Sequence, residues 1–202
     1  MNTKNNKLIK LYECVKKGSK GFRDDSVKQH LDTFQEYASQ CKVVTELGID
    51  SANATLAFLT SECKKVYSYN VVISPSALKV QQAAKEDGVF FKLINKDSLT
   101  VKIKMTDMLY IDTDHWYGQI KAELEHHHTR VRKWILMHDT ETFGIINPFD
   151  KRPGMKAAIY EFVYAHPEWE LIKHFENCHG LTILERVKPL KKKWFFLGLG
   201  LG

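Results

Sequence analysis

Five residues in one short stretch could do chemistry together: Asp112, Asp114, His115, His138 and Asp139. Carboxylates next to imidazoles suit two tasks, holding a hard metal ion and moving a proton. Their spacing places them. Asp112 closes the apolar run Met108–Ile111, and Asp139 comes just after the apolar run Trp134–Met137. Between the two runs, 116–130 has helical spacing, with Ile120, Leu124 and His127 on one face. Strand, helix, strand makes a βαβ crossover, almost always right-handed. In a parallel sheet, ligands bind at the carboxyl ends of the strands. The five residues should therefore meet on one rim. If the second strand ran straight through His138 and Asp139, their side chains would point apart and one of the two would be structural.

Other histidines and turns read more plainly. His126, His127 and His128 are consecutive, so on a helix they face different ways and cannot chelate together. A solvated helix surface is expected there. Asn177 and His179 lie in NCHG and are expected to close a hairpin rather than reach the rim.

The elements around the rim follow from periodicity. Leu8, Leu11, Tyr12 and Val15 share a helical face, and a second helix capped by Asp25 or Ser26 would turn Leu31, Phe34, Tyr37 and Ala38 inward. Strands are expected at 42–49, 66–72 and 89–94, and a short extra one at 101–105 where apolar residues alternate. Helices are expected at 51–59 and 75–86, the latter with Pro75 in its first turn and Gly88 after its end. Glu46 and Gly48 stand at the first strand's end, where they read as a ligand contact or as an ordinary strand-to-helix turn. Residues 141–153 form a loop long enough to be a lid or binding loop. A helix over 154–165 and a hairpin of strands 169–176 and 181–187 complete the chain. The alternation predicts an α/β fold: a Rossmann-like, mostly parallel sheet with helices on both faces, an antiparallel edge strand near the C-terminus and a helical N-terminal extension. The expected divisions are 1–24 for the extension, 25–188 for the main domain and 189–202 for a basic and apolar tail ending WFFLGLGLG.

Composition narrows the class. The chain has 202 residues, 44% hydrophobic and 27% charged, as in ordinary globular proteins. Its polar start and the lack of a long apolar run argue for a cytoplasmic protein away from membranes. The four cysteines show no paired spacing and are expected to be free thiols. The net charge of +6 gathers at the lysine-rich ends, expected to be solvated rather than bound to nucleic acid.

Five segments together resemble class I S-adenosylmethionine-dependent methyltransferases: VVTELGIDSANATLAFL, YSYNVV, FFKLINKDS, MLYIDTDHWYGQIKAELE and WILMHDTETFG. The resemblance is to the cephalosporin-hydroxylase-like and macrocin-type O-methyltransferase branch, whose small phage and bacterial members are similar also in AIYEFVYAHPEWELIKHFENCHGLTILERV. It implies a transferase that methylates a hydroxyl of a sugar or other small molecule. It further implies S-adenosylmethionine held by Glu46, Gly48, Asn70 and Asp97, Mg2+ held by Asp112 and Asp139, and His115 as the base. Two positions depart from the pattern. The first loop keeps only Gly48, with Asp50-Ser51-Ala52-Asn53 where glycines are usual, and Asn70 stands where an acid usually grips the ribose. These departures support an alternative, a non-catalytic methyltransferase-fold binding module in a larger viral or glycan-related assembly. A nucleic-acid methyltransferase is a third reading, but the chain lacks a base-methylation motif of the Asn/Asp-Pro-Pro-Tyr/Phe type. A homo-oligomer is left open.

Overall fold

The structure is a computed structural model that describes residues 6–18 and 27–190. The basic and apolar tail from Lys191 onward, the outermost N-terminal lysines and the expected cap at Asp25 or Ser26 lie outside the described residues. Seven strands form one sheet in the order β3-β2-β1-β4-β5-β7-β6. They are β1 Val43–Leu47, β2 Lys65–Asn70, β3 Phe91–Asn95, β4 Thr106–Ile111, β5 Val131–His138, β6 Trp169–Phe175 and β7 Leu181–Arg186. The first five run parallel, and β7 pairs antiparallel with both β5 and β6. The C-terminal hairpin thus does more than add an edge. Its second strand inserts between β5 and the true edge strand β6.

The helices are α1 Lys7–Lys16, α2 Leu31–Ser39, α3 Asn53–Leu59, α4 Pro75–Asp87, α5 Tyr117–His127 and α6 Met155–Ala165. A 3-10 turn at Lys28–His30 leads into α2. Ser74 caps α4 through the Ala77 N–H, and Gly88 ends it with φ +71°. One face of the sheet carries α1 to α4, packed through Phe34, Phe58 and Leu56 onto Met108, Tyr110 and Leu136. The other carries α5 and α6, packed through Ile120, Leu124 and Ile159 onto Leu109, Ile111 and Ile135. The central strand β4 is buried along its whole length, so it reads as a continuous apolar run. Helix α1 docks on α4, where the Lys7 and Leu8 N–H groups donate to the Asp87 carboxylate at 3.1 and 2.8 Å.

The strand expected at 101–105 does not form. The alternation there is real, because Val101 and Ile103 are buried. It records an extended segment with one buried side, and no sheet strand pairs with it. All four cysteines are free, as expected.

Candidate functional site

Strands β4 and β5 lie side by side in register, Ile111 opposite Met137, so their next residues, Asp112 and His138, reach the rim together. The chain then departs from the expected straight strand. Asp139 has φ +63°, in the left-handed region. Aspartate tolerates that conformation better than most residues, since its short polar side chain bonds locally. The turn swings the Asp139 carboxylate back beside His138, whose Nδ1 is 3.1 Å from Asp139 Oδ1 and 3.7 Å from Asp112 Oδ1. The expectation that one of the pair would face away is therefore corrected: both look into the same center.

His115 completes it. Its Nε2 lies 3.1 Å from Asp112 Oδ1 and 3.2 Å from Asp139 Oδ2, bridging the two acids. Phe143 from the 141–153 loop stacks on the His115 ring at 4.7 Å between centroids. The buried Tyr110 hydroxyl donates to Asp112 Oδ2 at 3.0 Å. Behind the site, His138 Nε2 donates to the Cys178 carbonyl at 3.0 Å. The NCHG turn closes its hairpin as expected, and through Cys178 it also supports the rim. Asp114 stands apart, paired with Arg152 at 3.4 Å.

Charge balance sets the protonation states. Burial raises the Asp112 carboxyl, but hydrogen bonds to His115 and His138 outweigh it and hold the pKa well below the usual carboxylate range. Burial pulls His138 down, while Asp112 and Asp139 push harder, and its pKa rises to about 9. His115 is raised against burial for the same reason. Asp139 is raised, by burial and then by the nearby Asp112 charge, against the pull of His138 and His115.

Glu46 is placed differently from the cleft residues. Its carboxylate is buried beneath the first loop, bonded by the Thr55 hydroxyl at 3.0 and 2.9 Å and by the Ser68 hydroxyl. Burial drives its pKa up to about 8, against those two hydroxyls and with a further push from Asp112. Two groups therefore hold protons in the folded state that the unfolded chain has released. Glu46 does so between its ordinary value of 4.5 and about 8. His138 does so between 6.5 and about 9. In both windows the unfolded state binds fewer protons, so stability falls as pH rises. The expected result is a melting temperature that drops between pH 6.5 and 9, with the Glu46→Gln variant showing a shallower drop over its lower half. Melting curves across that range check this; a flat profile would refute the assignment.

Beside the rim lies a cleft of about 450 Å3 at the carboxyl ends of β1, β2, β3 and β4. Four acids, Asp50, Asp97, Asp112 and Asp114, line it against a single lysine, Lys96. Gly48 and Asn70 line it too, so Gly48, Asn70, Asp97 and Asp112 meet in one cavity and Asp112 is shared with the rim. Asn70 spends its amide N–H groups on the carbonyls of Ile49 and Val72 at 2.7 and 2.8 Å. Asp97 accepts from the Leu99 N–H at 2.8 Å, a turn-forming bond. In the glycine-poor loop, Ala52 takes φ +63° and, with Asn53, is buried, while Asp50 faces out. Ala52 and Asn53 do not line this cleft, but they line a small pocket of about 30 Å3 that adjoins it through Gly48, Ile49, Asp50 and Asp112.

The histidine run departs most from expectation. His127 and His128 are buried rather than solvated, because His127 lies against the Ser98 carbonyl and His128 packs on Phe162 of α6. His127 Nε2 donates to the Ser98 carbonyl at 2.9 Å, and His126 Nε2 to that of Val101 at 3.0 Å.

No protein-family model matches the chain, and no curated protein does. Solved structures do resemble it. The O-methyltransferase from Bacillus cereus, in complex with S-adenosylhomocysteine, superposes with TM-score 0.65 at 14% identity over 91% of this chain and 92% of its own. TomG from Streptomyces achromogenes, an O-methyltransferase involved in tomaymycin synthesis and in complex with S-adenosylmethionine, gives 0.63 at 10% identity over 92% of each chain. The N-methyltransferase NodS from Bradyrhizobium japonicum gives 0.59 at 9% over 82% and 90%. At such identities the likeness is one of fold.

Proposed function

We propose that this chain, which carries the fold of class I S-adenosylmethionine-dependent methyltransferases, transfers a methyl group from S-adenosylmethionine to a hydroxyl of a small molecule, a sugar or similar ring. The observation that carries this is the shared carboxylate: Asp112 lines the acidic cleft and also belongs to the Asp–His rim. A sulfonium cofactor is cationic, and a cleft with four acids and one lysine favors a cation. Gly48, Asn70 and Asp97 would hold it, Gly48 by letting the backbone come close and Asn70 through its side-chain oxygen. Glu46 would act from beneath, by fixing Thr55 and Ser68 behind the loop.

The acceptor oxygen must lose a proton as it attacks the methyl carbon. His115 would take it, because Nε2 faces the rim and Phe143 fixes the ring plane. Asp112, Asp139 and His138 each offer a ligand atom within 4.8 Å of the others, a donor set that fits a divalent cation. Two carboxylates suit Mg2+, and the adjacent imidazole also suits Mn2+. The Cys178 carbonyl on His138 Nε2 leaves Nδ1 to face the acids, the usual support for a ligating imidazole. Such an ion, when bound, lowers the pKa of a hydroxyl that it contacts. The exposed Phe149 and Ile145, beside Phe143, would offer an apolar platform to the acceptor's ring.

One observation favors the alternative of a non-catalytic module: no carboxylate stands at the end of β2, and Asn70 already satisfies its neighbors. Calorimetric titration with S-adenosylmethionine and S-adenosylhomocysteine, with and without Mg2+, separates the two. Micromolar binding, about −8 kcal/mol, is the expected result. No binding in either condition would overturn the enzyme reading and leave the module.

A further inference from the structure

A second group of ligating side chains lies at the other end of α5. The helix begins just past His115 and runs 11 residues, about 16 Å at 1.5 Å per residue, away from the rim. Where it ends, Glu125 on its last turn and His128, which opens the 3-10 turn His128–Arg130, face His166, the residue just after α6. Glu125, His128 and His166 each present a ligand atom within 4.8 Å of the other two. The two imidazole rings sit 4.3 Å apart between centroids. Glu168, just before β6, brings Oε1 to 3.7 Å from Nδ1 of both His128 and His166.

We propose that these residues form a zinc site, independent of the methyltransferase reading. Four observations point to it. First, His128 Nδ1 is buried with no hydrogen-bond partner, and the Glu168 oxygen nearest to it is beyond hydrogen-bond reach. An orphaned buried nitrogen costs free energy that a metal bond would recover. Second, Glu125 and His166 already present ligand atoms within 4.8 Å of the one on His128, so an ion needs no rearrangement of the helices to be reached. Third, the donor set is right: imidazoles with a glutamate suit Zn2+, which takes four ligands in tetrahedral array with bonds of about 2.0–2.2 Å. Glu168, with Oε1 3.7 Å from each Nδ1, is the next nearest carboxylate. Fourth, the polar contact already present is weak: the His166 Nε2 to Glu125 pair, at 3.0 and 3.2 Å, is exposed and worth little by itself.

The ion would tie three elements that sequence alone leaves loosely joined: the end of α5, the end of α6 and the start of β6. It would act as a structural staple at the foot of the domain.

The test uses the full, untagged chain, the His166→Ala and Glu125→Gln variants, whose side chains are partly exposed and tolerate replacement, and Asp139→Asn as a control at the rim. Zinc content is measured by mass spectrometry after dialysis against micromolar Zn2+, and melting temperature with and without a chelator. The expected result is one equivalent of zinc lost in His166→Ala, affinity weakened at least about tenfold in Glu125→Gln, and that equivalent kept in Asp139→Asn. The chelator should lower the melting temperature of the wild type and leave that of His166→Ala unchanged. Equal zinc content in wild type and His166→Ala, or no zinc in the wild type, would overturn the proposal. A circular-dichroism spectrum matching the wild type shows that a variant is folded before its zinc is counted.

Discussion

Replacing His115 with alanine should slow methyl transfer by about 10^2–10^4-fold, the range that a positioned general base contributes. The loss should fall on kcat, since His115 does not line the cleft, and binding of S-adenosylmethionine should change little. The pH profile should change with it. His115 sits between Asp112 and Asp139, which raise its pKa against burial, so the wild type should lose rate as pH falls through a limb lying above the ordinary 6.5, where that imidazole gains its proton. In His115→Ala that acidic limb should disappear from what rate remains. Single-turnover rates over a pH series, on protein shown to be folded, check both points. A variant with the wild-type rate and the wild-type limb would remove His115 from the mechanism.

Gly48→Ala should be the most damaging glycine-to-alanine change among the described residues. Gly48 has φ +86°, which an alanine adopts only under strain. The added Cβ would also stand 1.8 Å from the Asp112 carbonyl oxygen, a backbone atom that cannot swing aside. The first loop and the β4 end would have to separate, although Asp112 N–H donates to the Leu47 carbonyl at 2.8 Å across that junction. A cost of about 3 kcal/mol or more is expected from strain and clash together. Chemical denaturation should show it directly. Any folded remainder should bind the cofactor poorly, because the same separation distorts the cleft and shifts Asp112. A variant with wild-type stability would mean that the β1–β4 junction is not built as described.

Much of this was legible in the sequence, and the reasons are local. Strand β4 announces itself because both its faces are buried, and Pro75 and Gly88 mark α4 through their own backbone limits. Asp112 and Asp139 were visible as acids at the ends of apolar runs. What stayed hidden depends on contacts distant in the chain. The pairing of His138 with Asp139 needs the left-handed turn at Asp139, and an aspartate there is a weak signal. Its support, the Cys178 carbonyl, lies 40 residues away. Helical periodicity put His127 on the Ile120 and Leu124 face, but the burial of His128 depends on where α6 packs, which periodicity does not encode. Val101 to Met105 shows the opposite failure: a true alternation with no neighboring strand to pair with.

The insertion of β7 between β5 and β6 bears on how the chain is made. During synthesis from the N-terminus, β1 to β5 can assemble while β7 is still missing, and β5 is then an open edge with the apolar run Trp134–Met137 along it. Protection of that edge waits for residues 181–186, among the last of the domain to be added. The turn that delivers β7 also delivers the Cys178 carbonyl that orients His138. A ribosome that stops early would therefore release a sticky, unfinished sheet, and one whose rim is not yet assembled. Closing the sheet and arming the site become the same late event of translation.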